Sequence, residues 1–152
     1  NFLGQYEKGL DQLTNSRSIQ EFMAEGGTDN AENSILPTLE NEFFQFLDVY
    51  NDAIFVYYTL PNKDMVHIPY AEFDADFDPT SRGWYIEATK NPDSVYWTNP
   101  YIDIATGDHA VTASKAVQSN GKVVGVIGLS IWATMDPLPS LIRKVLRLSI
   151  RR

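Results

Sequence analysis

Arg82, Trp84 and Tyr85 sit together in Asp78-Pro79-Thr80-Ser81-Arg82-Gly83-Trp84-Tyr85. Tyr101 and Asp103 follow in Asn99-Pro100-Tyr101-Ile102-Asp103. These residue types bind rather than react. A guanidinium presents a planar fork of donors that suits a carboxylate. Tyr101 and Asp103 alternate on an extended segment and so face the same side, where a ligand cation could rest between the Asp103 carboxylate and aromatic faces. Trp84 and Tyr85 are neighbours, so their side chains diverge: one can line a pocket while the other packs. Two plainer readings remain open here. Arg82 could pair with Asp76 or Asp78, and Asp103-Ile104-Ala105-Thr106-Gly107 could simply begin a turn.

Other chemistries are poorly supported. The chain has no cysteine, which removes thiol nucleophiles, disulfides and Cys-ligated zinc. Asp74, Asp76 and Asp78 imitate the start of a calcium loop, but the sixth position is Pro79 rather than Gly and the twelfth is Tyr85 rather than Glu. His67 and His109 stand in separate strands with no second ligand at metal spacing and no nucleophile motif. Gly125 and Gly128 fall inside a strand, not between strand and helix, so they form no nucleotide loop. No enzyme activity, metal or cofactor is expected.

The chain has 152 residues and a net charge of −8. Residues 1–140 carry 7 Lys and Arg against 20 Asp and Glu, a local balance of −13. An acidic body repels phosphate backbones, so nucleic-acid binding is not expected. The five remaining basic residues, Arg143, Lys144, Arg147, Arg151 and Arg152, lie in 138–152, which reads as a basic amphipathic tail or linker helix. No apolar run reaches the roughly 18–20 residues that span a bilayer. The chain begins inside a helical pattern and reads as a piece of something longer.

The elements that position these residues follow from periodicity. Phe2, Tyr6, Leu10 and Leu13, then Ile19, Phe22 and Met23, recur at helical spacing and predict a long amphipathic helix over 1–26, bent near Ser16. Ser18 with Glu21 matches a capping box, and Gly26-Gly27 is a stop. Thr28 or Asp29 can cap a second helix, which Pro37 divides; Leu39, Phe43, Phe46, Leu47 and Tyr50 form its apolar face. After Asp52 the texture turns β-branched and aromatic. Strands are expected at 53–60, 65–68, 95–98, 109–118 and 122–131, with an acidic loop at 70–80 and a short helix at 81–90. Asn120-Gly121 is a strong two-residue hairpin signal. The organisation is N-terminal helices at 1–50, a sheet module at 51–136 and the tail at 137–152.

Asp78-Pro79, Arg82-x-Trp84-Tyr85, Pro100-Tyr101-x-Asp103, Thr106-Gly107 and the closing Gly125-Val126-Ile127-Gly128-Leu129-Ser130 occur in one order. In these residues the chain resembles the Cache family, extracytoplasmic sensor domains of bacterial chemoreceptors, histidine kinases and related transducers. The resemblance covers roughly residues 50–135. It implies an α+β fold, a long N-terminal helix packed on a PAS-like antiparallel five-stranded sheet, and the distal module of a tandem pair. It implies a small-molecule ligand, an amino acid or small carboxylate, with its carboxylate held by Arg82, Trp84 and Tyr85 and its other end by Tyr101 and Asp103. Two positions depart from the amino-acid-binding pattern. Phe77 stands where that subgroup has Tyr, and Ser130 stands where it has a closing Asp. A hydroxyl cannot neutralise a buried ammonium, so an amine-free carboxylate is equally admissible. The resemblance further implies membrane anchoring of the longer protein. The apolar stripe on the first helix predicts a homodimer through that helix. A structural or dimerisation ectodomain without a small ligand, or the sensor of a histidine kinase, is the competing class.

Overall fold

The computed structural model describes residues 2–103 and 107–132. The basic tail, Thr106 and the end of the sheet module lie outside the described residues. Three helices precede the sheet: α1 (Phe2–Thr14), α2 (Arg17–Ala24) and α3 (Leu36–Val49). Strands β1 (Ala53–Thr59) and β2 (Met65–Ile68) form a hairpin. A turn of 3-10 helix (Pro79–Ser81) and α4 (Gly83–Lys90) follow, and then β3 (Tyr96–Trp97), β4 (Tyr101–Ile102), β5 (His109–Ser119) and β6 (Lys122–Trp132).

The expected bend is a break. Ser16 caps α2, its hydroxyl accepting from the Ile19 amide at 3.3 Å. The capping box at Ser18 does not form; Ser18 instead donates to the Glu42 carboxylate of α3 at 2.7 Å, tying the two helices together. Gly26 and Gly27, with φ of 100° and 58°, end α2 as anticipated. The second helix is shorter than expected. Residues 30–35 are held out of a helix by Asn33, whose side-chain amide donates to the Phe22 and Gly27 carbonyls at 2.9 and 3.0 Å while its oxygen accepts from the Ile35 amide. Pro37 therefore opens α3 rather than dividing a helix, in the first turn where a missing N–H costs nothing.

The sheet is fully antiparallel, ordered β2-β1-β6-β5-β3 with β4 also on β5, so it has six strands and not five. The expected 95–98 strand forms as β3, with Tyr96 opposite Ser114, and beyond Asn99-Pro100 the outer edge resumes as an additional short strand, β4, with Tyr101 opposite Ala110. Asn120 and Gly121 both have positive φ, 53° and 77°, the backbone that a two-residue hairpin demands.

Both faces of the sheet are covered. Tyr6, Leu10, Leu13, Ile19, Phe22, Leu39, Phe43 and Leu47 of the helices pack on Val56, Tyr58, Ala113, Val117, Ile127, Leu129 and Ile131. The opposite face carries Phe55, Tyr57, Ala110 and Val126 under Trp84 and Ala88 of α4. On that second face the central strands present small residues, Thr112 and Ser114 from β5 and Gly128 and Ser130 from β6. Large rings stand around a low floor, which leaves room for a cavity.

Candidate ligand-binding site

That room is a cavity of about 350 Å³, counted to its open mouth, lined by Tyr57, Met65, His67, Phe73, Phe77, Arg82, Trp84, Tyr101, Asp103 and Ser130. Its enclosed part is only about 40 Å³, so most of that volume is the open mouth. Of the residues singled out in the sequence, Arg82, Trp84, Tyr101, Asp103 and Ser130 meet here. Tyr85 does not line the cavity; it lies half-buried beside Trp84, the ring centres 6.2 Å apart.

Arg82 is placed by the junction between the 3-10 turn and α4, where its extended backbone (φ −77°, ψ 148°) starts the helix. The turn is fixed by Asp78, whose carboxylate accepts from the Thr80 amide at 2.9 Å and the Thr80 hydroxyl at 2.6 Å and pairs with Lys63 at 3.4 Å. The Thr80 bonds, helped by Lys63, hold the Asp78 carboxyl below its ordinary range. Asp78 is thereby spent on its own turn. Arg82 makes no salt bridge with Asp76, Asp78 or any other acid among the described residues.

Trp84 is held edge-on to Tyr57 at 5.2 Å, and its carbonyl accepts from Ser114 at 2.8 Å. Tyr101 and Asp103 lie at the start of a turn, as one sequence reading had it, and both also line the cavity. The Asp103 amide donates to the Asp108 carbonyl and the Gly107 amide to the Asp103 carbonyl, each at 2.8 Å. Asp103 is 9% exposed.

Five lining residues were not singled out as contacts. His67 stacks on Tyr57 with centroids 5.2 Å apart and planes 8° apart, and Phe73 meets it edge-on. Its Nδ1 lies 2.8 Å from the Pro69 carbonyl, an oxygen that can only accept, so Nδ1 carries the proton. Burial pushes the imidazole down to about 4, partly opposed by that bond, and leaves it neutral near pH 7. Phe73 and Phe77 stack at 4.9 Å across the acidic loop. Met65 and His67 show the period-two alternation of a strand with one face on the helices, which is a visible signal in the sequence. Tyr57 has none, because β1 is buried along its whole length.

Tyr57 organises the floor. Its hydroxyl lies 3.0 Å from the Ser130 hydroxyl and 3.1 Å from that of Thr112, and Thr112 is in turn hydrogen-bonded to the Tyr101 hydroxyl. Burial keeps the Tyr57 phenol protonated far above the ordinary tyrosine range, and nearby Tyr101 adds to this. The cavity thus combines one cation, one carboxylate, a neutral hydroxyl floor and an aromatic wall. No cluster of three or more acidic or imidazole groups able to hold a metal occurs among the described residues.

Residues 33–135 match the family model described as methyl-accepting chemotaxis protein-like, first PDC sensor domain. The chain belongs to this family. It is a chemoreceptor-type sensor domain, not an enzyme, and the Cache resemblance names the same class. Among curated relatives it is 32% identical over 142 residues to the methyl-accepting chemotaxis protein McpC of Bacillus subtilis, covering 93% of this chain and 21% of that one. It is 26% identical over 113 residues to TlpA of the same organism, covering 74% and 17%. The chain therefore spans about a fifth of the length of such relatives. Among solved structures, the ligand-binding domain of Campylobacter jejuni Tlp3 in complex with 4-methylisoleucine superposes with a TM-score of 0.69 at 23% identity, covering 86% of this chain and 51% of that one. That of Pseudomonas fluorescens CtaA in complex with L-valine gives 0.67 at 22% identity, covering 98% and 57%. At such identities these likenesses establish the α+β fold of the sensor domain. No described helix is long and apolar enough to cross a membrane.

Proposed function

We propose that this sensor domain binds a small carboxylate, in the first instance an amino acid, in the cavity bounded by Arg82, Trp84, Tyr101, Asp103 and Ser130. The observation that carries the reading is Arg82: an arginine without a salt bridge on the wall of a concave, ring-lined cavity is a ready carboxylate clamp. Asp103, on the same cavity, supplies a charge for an ammonium, and Met65, Phe73, Phe77 and Trp84 supply an apolar wall for a side chain. The amino acids named with the Tlp3 and CtaA structures are of this class. Ser130 offers no second negative charge, so affinity for the ammonium rests on Asp103 and hydroxyl acceptors. In the longer protein the domain lies outside the cytoplasm, anchored to the membrane, and reports occupancy as part of a chemotaxis transducer.

Homodimerisation through α1 has a different basis from the sequence stripe. Tyr6, Leu10 and Leu13 are consumed by the protomer's own core, and the exposed residues of α1 are Gln5, Lys8, Asp11 and Gln12 with Leu3. Pairing across so polar a face is weak and depends on tethering in the membrane.

Calorimetry with the twenty amino acids and a panel of organic acids tests the ligand reading, with Arg82→Lys as the diagnostic variant. Lysine keeps the charge but loses the planar fork, so affinity for carboxylates falls by about tenfold or more. Equal affinity in wild type and Arg82→Lys refutes the clamp. No response to any compound by a cooperatively folded domain refutes the ligand reading and favours a structural ectodomain.

A further inference from the structure

The floor of the cavity is a chain of four hydroxyls, Tyr101–Thr112–Tyr57–Ser130, drawn from β4, β5, β1 and β6 in turn. Each hydroxyl owns one proton and can both donate and accept. Four hydroxyls joined by three hydrogen bonds hold four protons, so one is left over. Were it on Tyr57 or Thr112, that hydroxyl would accept from both neighbours and bury its own O–H without a partner, at a cost of about 1–3 kcal/mol. Thr112 is fully buried and Tyr57 is 4% exposed. The spare proton therefore sits at an end of the chain, on Ser130 or Tyr101, and both ends line the cavity. The protons can run in either direction, but always in one direction at a time. When Ser130 accepts from a ligand, it donates to Tyr57, Tyr57 to Thr112, Thr112 to Tyr101, and Tyr101 donates into the cavity. When Ser130 donates to a ligand, every bond reverses and Tyr101 offers only a lone pair.

We propose that this hydroxyl chain is a specificity-determining relay that favours ligands with a donor at one end and an acceptor at the other, and that Thr112, which does not line the cavity, is the positioning residue that couples the two ends. The inference deepens the proposed function and rests on it. An amino acid satisfies both ends: whichever end its ammonium donates to, its carboxylate can accept from the other, with all three internal bonds aligned and mutually polarised. A 2-oxo acid presents acceptors at both ends, so one end must face it lone pair to lone pair. Thr112 is itself well held for the task. Its amide donates to the Thr98 hydroxyl at 2.9 Å, and its carbonyl accepts from the Thr98 amide at 2.9 Å.

The test compares L-valine with 2-oxoisovalerate, which differ only where the ammonium is replaced by a carbonyl, by calorimetry on wild type, Thr112→Val and Thr112→Ser. Wild type binds valine more tightly than the oxo acid. Thr112→Val keeps the shape and cuts the chain, so each end orients its proton independently, and the valine-to-oxo-acid ratio shrinks by roughly 3- to 10-fold, the worth of one hydrogen bond. Thr112→Ser restores the hydroxyl and the ratio, a rescue that a purely structural role does not give. If Thr112→Val loses cooperative melting, Tyr57→Phe cuts the chain at its other internal member and is read in the same way. An unchanged ratio in the cut chain, or an oxo acid favoured by wild type, overturns the relay while leaving the carboxylate site standing. Binding of neither probe by wild type removes the amino-acid reading and the relay together.

Discussion

Gly128 of β6 lies directly opposite Tyr57 of β1, and replacing it with alanine tests whether the floor of the cavity is as tightly set as its geometry implies. A Cβ there falls 2.4 Å from Cε2, 2.8 Å from Cζ and 3.1 Å from Cδ2 of the Tyr57 ring. Carbon atoms in contact prefer about 3.5–4.0 Å, so the ring has to retreat by about 1 Å. It has nowhere to go: His67 stacks on it and Trp84 abuts it, each with centroids 5.2 Å away. The same movement stretches the Tyr57 bonds to Ser130 and Thr112, now 3.0 and 3.1 Å, past hydrogen-bonding range. Gly128 does not have a positive φ, so alanine itself is unstrained and gains about 0.5–1 kcal/mol in backbone entropy. Overpacking of about 1–3 kcal/mol plus two weakened hydroxyl bonds near 1 kcal/mol each outweigh that gain. The net loss is about 2–4.5 kcal/mol, which for a domain of this length lowers the melting temperature by roughly 4–18 °C.

Differential scanning calorimetry on Gly128→Ala reads the loss, and a double mutant identifies its cause. With Tyr57→Leu the ring that clashes is gone, so Gly128→Ala added to Tyr57→Leu has little further effect. A melting temperature within about 1 °C of wild type would falsify the close approach. So would a fully additive double mutant, which would move the cost elsewhere in β6. Ligand affinity falls in parallel, because Tyr57 is both wall and floor of the cavity.

Two further expectations concern stability and assembly. His67 is held near 4 by burial, against about 6.5 in an unfolded chain; between those values the unfolded state binds the extra proton, so stability declines as pH falls from about 6.5 to 4 and levels off below. The contribution is at most on the order of 3 kcal/mol, and His67→Phe, measured by urea melts across that window, removes it; equal slopes for the two proteins refute the assignment. The isolated domain sediments as a monomer at tens of micromolar because the outward face of α1 is polar, and a stable dimer at that concentration means another surface mediates pairing.

Much of the fold was legible because half of it obeys one-sided burial. Tyr6, Leu10 and Leu13, and likewise Leu39, Phe43, Phe46 and Leu47, lie on single faces, so a 3.6-residue period marks each helix and its buried side. Asn120-Gly121 named the β5–β6 hairpin from the positive φ it needs. Errors came where two local solutions were equally good. Ser16 and Ser18 can both cap a helix starting near residue 17, and what separates them is tertiary: Glu42 on α3 takes the Ser18 hydroxyl. Pro37 fits a kink or a first turn by its own chemistry. Asn33, which bonds two carbonyls remote in sequence, decides for the first turn.

The site divides along the same line. Arg82, Trp84, Tyr101 and Asp103 were visible because loops and helix ends carry residue types that a core does not need, and their spacing could be set beside a family pattern. Tyr57 and Thr112 were hidden because β1 and the middle of β5 are buried on both faces, and a strand covered twice has no alternation to show which side matters. The clue lay across strands instead. Ser114, Thr112 and Ala110 on β5 and Gly128 and Ser130 on β6 are all small and share the face where Tyr57 and Trp84 are large. A sheet face whose centre is small and hydroxylated while its margin is aromatic leaves a polar depression between the rings. Once the β1–β6–β5 register is known, the cavity and the hydroxyl chain beneath it follow from residue size and proton count. Register is a long-range property, which is why the candidate clamp residue Arg82 could be read from one segment and the hydroxyl floor could not.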